Sequence, residues 1–282
     1  MPLRTEARST DAAYRADGGV SPVFSVLAAS VAGASHRLAG RPCEDAYGWD
    51  VLGPGAIALL LADGVGAASR GGEAAELAVS AAARYLIEAS HPDRAGGRTS
   101  WTAYGDAVRG AVLAADVAVE AAGGLSAGLA TTLVVAVLTY PAGVSSAHAQ
   151  LARVGDSTAF VLSGREHGEQ PGEWREAFSA VEQGGGAGDN VTNVVPLGRA
   201  RAQEIEQVPA EVPVGAALVL VSDGIANPLR DGPATVAPAL ATVLAGRDQL
   251  SPLSLARAID FSRRGALDDR ALVIAWPKVP PS

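Results

Sequence analysis

The chain has 282 residues, of which 48% are hydrophobic and 18% charged, and its formal net charge is −8. This composition is typical of a globular protein, and the length allows one or two domains. A negative net charge without a basic run argues against nucleic-acid binding. Cys43 is the only cysteine, which excludes an intrachain disulfide, argues against a cysteine-based zinc site and is consistent with a reducing cytoplasm.

The domain organisation expected from the sequence is a single folded unit. The longest apolar runs are shorter than the ~18 residues that a membrane-spanning helix needs, so we expect no membrane partner and a cytoplasmic location. Residues 1–22 are polar and of mixed charge, which predicts a flexible lead-in. One domain is expected over 23–276, followed by a C-terminal tail over 277–282.

The first half of the chain predicts two strands and two helices. The first strand is expected within 23–33 and the second over 56–62. Two alanine-rich stretches, 72–87 and 101–122, predict helices, because alanine favours helix and a glycine pair follows the second stretch.

The second half is dominated by strand patterns. Strands are expected at 130–139, 148–154, 157–163, 174–181, 216–222 and 271–276, with a helix over 251–264. The two strands flanking residues 155–157 predict a hairpin, and the glycine-rich stretch 183–200 predicts a loop or flap. Runs of strands with grouped helices indicate an α+β fold, with helices outside a mostly antiparallel pair of sheets.

Acidic residues recur at the ends of the predicted strands. They are Asp63, Asp156, Asp223, Asp268 and Asp269, joined upstream by Glu44 and Asp45. A carboxylate at the edge of a core is costly unless a positive charge compensates it. Several carboxylates that converge from separate segments would bind hard divalent cations. The pattern therefore predicts a multi-metal site with oxygen ligands at one end of the sheets, and a hydrolase built on it.

The order of these motifs resembles a known family. Together they are similar to the PPM-type (type 2C) metal-dependent serine/threonine protein phosphatases, whose fold is a central β-sandwich flanked by helices. The resemblance spans about residues 28–276. The matching segments, in order, are Glu44-Asp45, Ala62-Asp63-Gly64, Ala130-Thr131-Thr132, Val154-Gly155-Asp156-Ser157, Val221-Ser222-Asp223-Gly224 and Asp268-Asp269.

The resemblance implies a role for each acidic residue. Asp63 would bridge two Mn²⁺ or Mg²⁺ ions, and Asp223 and Asp268 would complete the sphere of one. The carbonyl of Gly64 and the pair Glu44-Asp45, directly or through water, would hold the other. Asp156 with Asp223 resembles a weaker third-metal site. Thr131 and Thr132 would support the sheet beside the carboxylates, and the flap at 183–200 corresponds to the variable segment linked to substrate selection.

Three departures concern the phosphate and the proton donor. The arginine that many members carry five residues before the Asp of Glu-Asp is Gly40 here. The stretch 33–47, with Ser35-His36 and Gly40-Arg41-Pro42-Cys43, resembles a bacterial branch in which His36, Arg37 or Arg41 would replace that arginine. His36 is also the candidate general acid. Val65 stands where some members have a histidine, and Asp269 replaces the usual Asn.

The function that the resemblance implies is removal of phosphate from phosphoserine or phosphothreonine in proteins, by attack of a metal-bridging hydroxide. A partner would be the serine/threonine kinase whose phosphorylation it reverses. Two alternatives stay open at this point. One is a pseudophosphatase that serves as a phosphoprotein-binding regulatory module. The other is a metal-dependent hydrolase of small phosphoesters.

Overall fold

Two antiparallel sheets stacked face to face form the centre of the fold. The structure is a computed structural model, and it describes residues 13–91, 103–141, 143–163, 172–178, 193–197, 202–231, 236–263 and 267–278. The first sheet has the strand order β1-β2-β11-β10-β7-β8 and the second β3-β4-β5-β6-β9. The strands are β1 (Tyr14–Val20), β2 (Phe24–Val31), β3 (Ala46–Gly53), β4 (Ala56–Ala62), β5 (Leu133–Thr139), β6 (Ser146–Val154), β7 (Thr158–Leu162), β8 (Trp174–Glu176), β9 (Glu206–Pro213), β10 (Ala217–Val221) and β11 (Arg270–Pro277).

Helices cover the outer face of each sheet. The helices are α1 (Ala34–Ala39), α2 (Gly71–Ala89), α3 (Ala103–Ala121), α4 (Asp223–Arg230), α5 (Val236–Ala245) and α6 (Pro252–Ile259). Helices α2 and α3 pack on the second sheet, whereas α4, α5 and α6 pack on the first. The predicted α+β sandwich flanked by helices is thus confirmed.

Strand β4 shows how the layers arise from the sequence. All seven of its residues are buried. Ile57, Leu59 and Leu61 point into the core between the sheets, and Ala58, Leu60 and Ala62 face the helices. Because side chains alternate between the two faces of a strand, a continuous apolar run of this kind is what a strand covered on both faces requires.

The predicted hairpin around residues 155–157 is wrong. Strand β6 pairs with β5 and β9 in the second sheet, whereas β7 pairs with β10 and β8 in the first. The chain therefore crosses between the sheets at this point. Gly155 makes the crossing at φ +95°, a conformation that glycine adopts without the steric cost of a Cβ.

Other elements extend beyond the sequence prediction. Tyr14–Val20, expected within a flexible lead-in, forms β1 along the edge of β2. Strands β3 and β9 and helices α1, α4 and α5 also lack a counterpart in the prediction. Helix α4 is not predicted from the sequence because it contains Pro228, and proline normally disfavours helix interiors.

Some expectations fall outside the described residues. Of the predicted flap at 183–200 only residues 193–197 are described, and of the predicted strand at 174–181 residues 174–178. None of the described helices has the length and apolar character needed to cross a membrane.

Candidate active site

Antiparallel pairing brings the acidic segments to one end of the sandwich. Register pairs the end of β4 with the start of β3 and of β5, and the start of β5 with the end of β6. In the other sheet, the end of β10 lies opposite the starts of β11 and β7, and the start of β11 opposite the end of β2. The residues just beyond these strand ends are Glu44, Asp45, Asp63, Asp156, Asp223, Asp268 and Asp269.

Asp63 is held through its backbone. Its N–H donates to Thr132 Oγ1 at 3.1 Å, and its carbonyl accepts from Thr132 N at 2.9 Å and from Thr131 Oγ1 at 2.8 Å. Both threonines are buried. These bonds use only main-chain atoms of Asp63, so they do not occupy its carboxylate.

Gly64 lies in a tight backbone crossing. Its N–H donates to the carbonyl of Glu44 at 3.2 Å. A Cβ at this position would come within 2.5 Å of Gly71 C and 2.8 Å of Glu44 O. Only glycine therefore lets the Asp63 turn, the first residues of α2 and the Glu44 loop meet here.

A hydroxyl pair joins the two sheets beneath the carboxylates. Thr132 Oγ1 and Ser157 Oγ lie 2.7 Å apart, and both residues are buried. Ser157 follows Asp156 at the crossing between the sheets. The contact therefore fixes the position of Asp156 relative to Asp63. Asp156 is half-buried.

Three of the acidic residues have unpaired carboxylate oxygens that are shielded from solvent. Asp45 is 1% exposed and Glu44 is 8% exposed. Both oxygens of Asp45, Oε2 of Glu44 and Oδ1 of Asp223 accept no hydrogen bond. An ion buried without a partner costs several kcal/mol even after the protein relaxes, so Asp45, with both oxygens unpaired, is stable only with a compensating charge or proton.

Burial and mutual repulsion raise the pKa values of three of these carboxyl groups. Burial raises the pKa of Asp45 well above its usual range, and the charge of Asp269 adds to that effect. Burial, followed by the charges of Asp45 and Asp223, raises the pKa of Asp63. Burial, followed by Asp268 and Asp156, raises the pKa of Asp223 to about 6. The carboxylates thus lie close enough to repel one another.

Asp223 begins α4, directly after the end of β10. Ser222 anchors this end because its N–H donates to the carbonyl of Ala271 and its Oγ accepts from Ala271 N, at 3.1 Å and 2.9 Å. Asp268 lies opposite and is exposed. The two aspartates are thus presented from neighbouring strands, β10 and β11.

These residues fit a hard divalent cation. Unpaired buried oxygens, mutual repulsion and an all-oxygen donor set are the features that such an ion would compensate. Within the described ranges, however, no three His, Cys, Asp or Glu side chains stand at the separations of a complete ligand set. The fit therefore rests on the unpaired oxygens and the electrostatics.

The three candidates for phosphate contact have different surroundings. The Arg41 guanidinium pairs with Glu44 and is 43% exposed. His36 is buried, and its Nδ1 lies 2.8 Å from Asp269 Oδ2. Arg37 instead donates to Asp260 at 2.9 Å and to the hydroxyl of Tyr14 at 3.5 Å. Arg37 is thus engaged by residues that lie outside the carboxylate group.

Sequence reasoning gives no structural role to Ser157, which appears there only within a motif. It counts Asp269 among the acidic residues and as a replacement for Asn, but it assigns no donors to the Asp269 carboxylate. Asp269 is 3% exposed and accepts hydrogen bonds from three groups. The replacement of Asn by Asp is the one sequence feature that could have predicted these contacts. An additional carboxylate in an acidic site needs hydrogen-bond donors around it.

Comparison with known proteins identifies a family for this chain. Residues 32–256 match the family model described as protein phosphatase 2C. No curated protein matches the sequence of this chain.

Solved structures show the same fold at low identity. A serine/threonine phosphatase of S. agalactiae aligns at a TM-score of 0.64 and 17% identity, covering 90% of this chain and 100% of that one. The catalytic domain of the serine/threonine phosphatase PstP, in complex with 2 manganese ions, aligns at 0.58 and 19%, covering 91% and 99%. RsbX in complex with magnesium aligns at 0.53 and 10%, covering 94% and 100%. Because the family model spans most of the sequence and the fold agrees, the chain belongs to the protein phosphatase 2C family.

Proposed function

We propose that this protein is a Mn²⁺- or Mg²⁺-dependent phosphatase that hydrolyses phosphoserine and phosphothreonine in proteins. The observation that carries the proposal is the group of buried carboxylate oxygens without partners at the end of the sandwich, in a member of the protein phosphatase 2C family. A site this acidic, in a chain of net charge −8, would repel a phosphate dianion unless cations were bound.

The proposed ligands come from separate strands. Asp63, Asp223 and Asp268 would hold the ions together with Glu44, Asp45 and the Gly64 carbonyl, and Asp156 with Asp223 would hold a further ion more weakly. When bound, the ions would supply an activated water and the positive charge that phosphoryl transfer requires.

The chain's own residues would orient the reaction. Thr131 and Thr132 hold the backbone of Asp63, so its carboxylate is presented in one direction. The partly exposed guanidinium of Arg41 is the proposed contact for the outward phosphate oxygens, which suit a planar fork of donors. His36, fixed by Asp269, is the proposed proton donor to the departing serine or threonine oxygen.

The structural neighbours support the choice of metal and substrate class. PstP is a serine/threonine phosphatase with manganese, and RsbX is seen with magnesium. For this chain we propose a phosphorylated protein substrate in the cytoplasm, and a serine/threonine kinase as the enzyme whose product it consumes.

The direct test is hydrolysis of a phosphoserine or phosphothreonine peptide with Mn²⁺, with Mg²⁺ and with chelator. We expect turnover with either ion and none with chelator. Binding of the phosphopeptide without turnover would replace the proposal with a pseudophosphatase. A strong preference for a small phosphoester over every phosphopeptide would replace it with a metabolite hydrolase.

A further inference from the structure

The Asp269 carboxylate is the meeting point of three donors. Gly33 N donates to Oδ1 at 2.6 Å, Glu44 N donates to Oδ2 at 2.5 Å, and His36 Nδ1 lies 2.8 Å from Oδ2. The three donors lie 225 to 236 residues away along the chain. Since a carboxylate only accepts, Nδ1 of His36 carries a hydrogen and donates it to Asp269, so proton transfer by His36 would use Nε2.

These donors span one continuous segment. Gly33 precedes α1, His36 lies within it, and Glu44 ends the loop that follows it. Helix α1 has only six residues, too few to be stable by itself. Asp269 therefore fixes the start, the middle and the end of residues 33–44, the segment that presents Glu44.

The contact is close and closed to water. Asp269 is 3% exposed. A Cβ on Gly33 would lie 2.3 Å from the backbone of Asp268, and one on Gly224 would lie 2.0 Å from Asp269 O. Ser35 adds a further anchor, because its N–H and Oγ both donate to the carbonyl of Leu267. Close packing against residues 33 and 224 therefore holds the backbone of Asp268 and Asp269 in place.

An aspartate is required for this pattern of bonds. Asn would offer one acceptor oxygen and one NH₂ group. With its oxygen on Gly33 N, the NH₂ would face the N–H of Glu44, and two donors would oppose each other. With its oxygen on Glu44 N, the Gly33 N–H would lose its acceptor. A buried donor without an acceptor costs about 1–3 kcal/mol.

We propose that Asp269 is a positioning residue that holds Glu44 for metal binding and His36 for proton transfer, acting through these two residues. The inference rests on the proposed function. Its physical basis is that groups which orient metal ligands typically change metal affinity by about 10- to 100-fold when they are removed.

The first experiment is a double-mutant cycle between Asp269→Asn and Glu44→Gln. The readouts are Mn²⁺ affinity by calorimetry and the melting temperature with and without Mn²⁺. We expect Asp269→Asn alone to weaken Mn²⁺ binding by about tenfold or more. In the Glu44→Gln background it should add less than about threefold, because residues that act through one another are not additive. Additive losses would overturn the proposal.

The matched control is Asp260→Asn. Asp260 accepts from Arg37 and Tyr14 and so anchors the same helix, α1, from its outer side. We expect this variant to lower the melting temperature and leave the Mn²⁺ affinity unchanged. An equal loss of Mn²⁺ affinity in both variants would mean that Asp269 matters only by stabilising α1.

His36→Ala keeps the test decisive if Asp269→Asn does not fold. This variant leaves the Asp269 bond to Glu44 N in place. We expect normal Mn²⁺ affinity and a lower kcat on a phosphopeptide, whereas loss of both would overturn the division of roles. Failure of the proposed function is separate, since it would appear as absence of Mn²⁺-dependent turnover in the unmodified protein, with the binding cycle still measurable.

Discussion

At the residue scale, Asp63 illustrates how this fold presents a charge. Its backbone is bonded on both sides by Thr131 and Thr132, and these bonds do not occupy its carboxylate. We expect Asp63→Asn to retain the fold and lose at least about nine tenths of phosphatase activity, because two-metal stabilisation is worth several kcal/mol. Asp223→Asn should lose a comparable amount. Circular dichroism with an assay in excess Mn²⁺ checks this, and more residual activity would place the metal site elsewhere.

The raised pKa of Asp223 gives a pH prediction for the metal-free protein. Its folded pKa of about 6 lies above the value near 4 of an unfolded aspartate, so the folded state holds the proton more tightly. This contribution to stability is present at low pH and lost as pH rises through about 6. In chelator, the unmodified protein should therefore lose stability relative to Asp223→Asn as pH rises. The melting temperature of the variant minus that of the unmodified protein should increase by a few degrees from about pH 4 to about pH 7.5. A difference independent of pH would contradict it.

His36 permits a prediction that separates proton transfer from phosphate binding. We expect His36→Ala to lower kcat on a phosphopeptide by about 10²-fold, the scale of a general acid. The loss on an aryl phosphate should be much smaller, because that leaving group needs no proton. Equal losses on both substrates would assign His36 to phosphate contact, and no loss on either would leave it a structural histidine.

At the element scale, the start of β5 links the two sheets at the site. Thr132 accepts from Asp63 N and contacts Ser157 across the sandwich. Thr132→Val removes both bonds from a buried position, with an expected loss of about 1–3 kcal/mol in the free energy of unfolding. Activity should fall further than stability explains, because both Asp63 and Asp156 lose a support.

The control for Thr132 lies at the other end of the same strand. Thr139 Oγ1 donates to the carbonyl of His148 at 3.3 Å, away from the carboxylates. Thr139→Val should leave kcat unchanged with at most a small loss of stability. Denaturant unfolding and a phosphopeptide assay on both variants make the comparison, and equal effects on activity would refute the role of Thr132.

At the scale of the whole molecule, the proposed metal site would contribute to global stability. Carboxylates from both sheets repel one another at one end of the sandwich. A ligand bound only to the folded state stabilises it, by about 2.7 kcal/mol at a hundred times its Kd. We expect Mn²⁺ to raise the melting temperature by several degrees, and Asp268→Ala to reduce that rise. A melting curve that does not change across millimolar Mn²⁺ would contradict a metal site.

The sequence by itself determined the family, the sandwich and the acidic positions. Each of these is a local signal, namely an apolar run followed by a carboxylate and glycine, as at Asp63 and Asp223. A residue at the end of a strand stays there whichever strands pair, so the motifs predict a candidate site before the sheet pairing is known. The ligand roles within that site stay predictions.

Only the tertiary structure decided which strands pair and which donors surround Asp269. Residues 155–157 suit a hairpin or a crossing equally well. The chain crosses between the sheets here because β6 pairs with β5 in one sheet and β7 pairs with β10 in the other. Asp269 contacts donors more than 220 residues away, a distance over which no local pattern carries information. Close packing at Gly33 and Gly224 brings those segments together, and this depends on the complete fold.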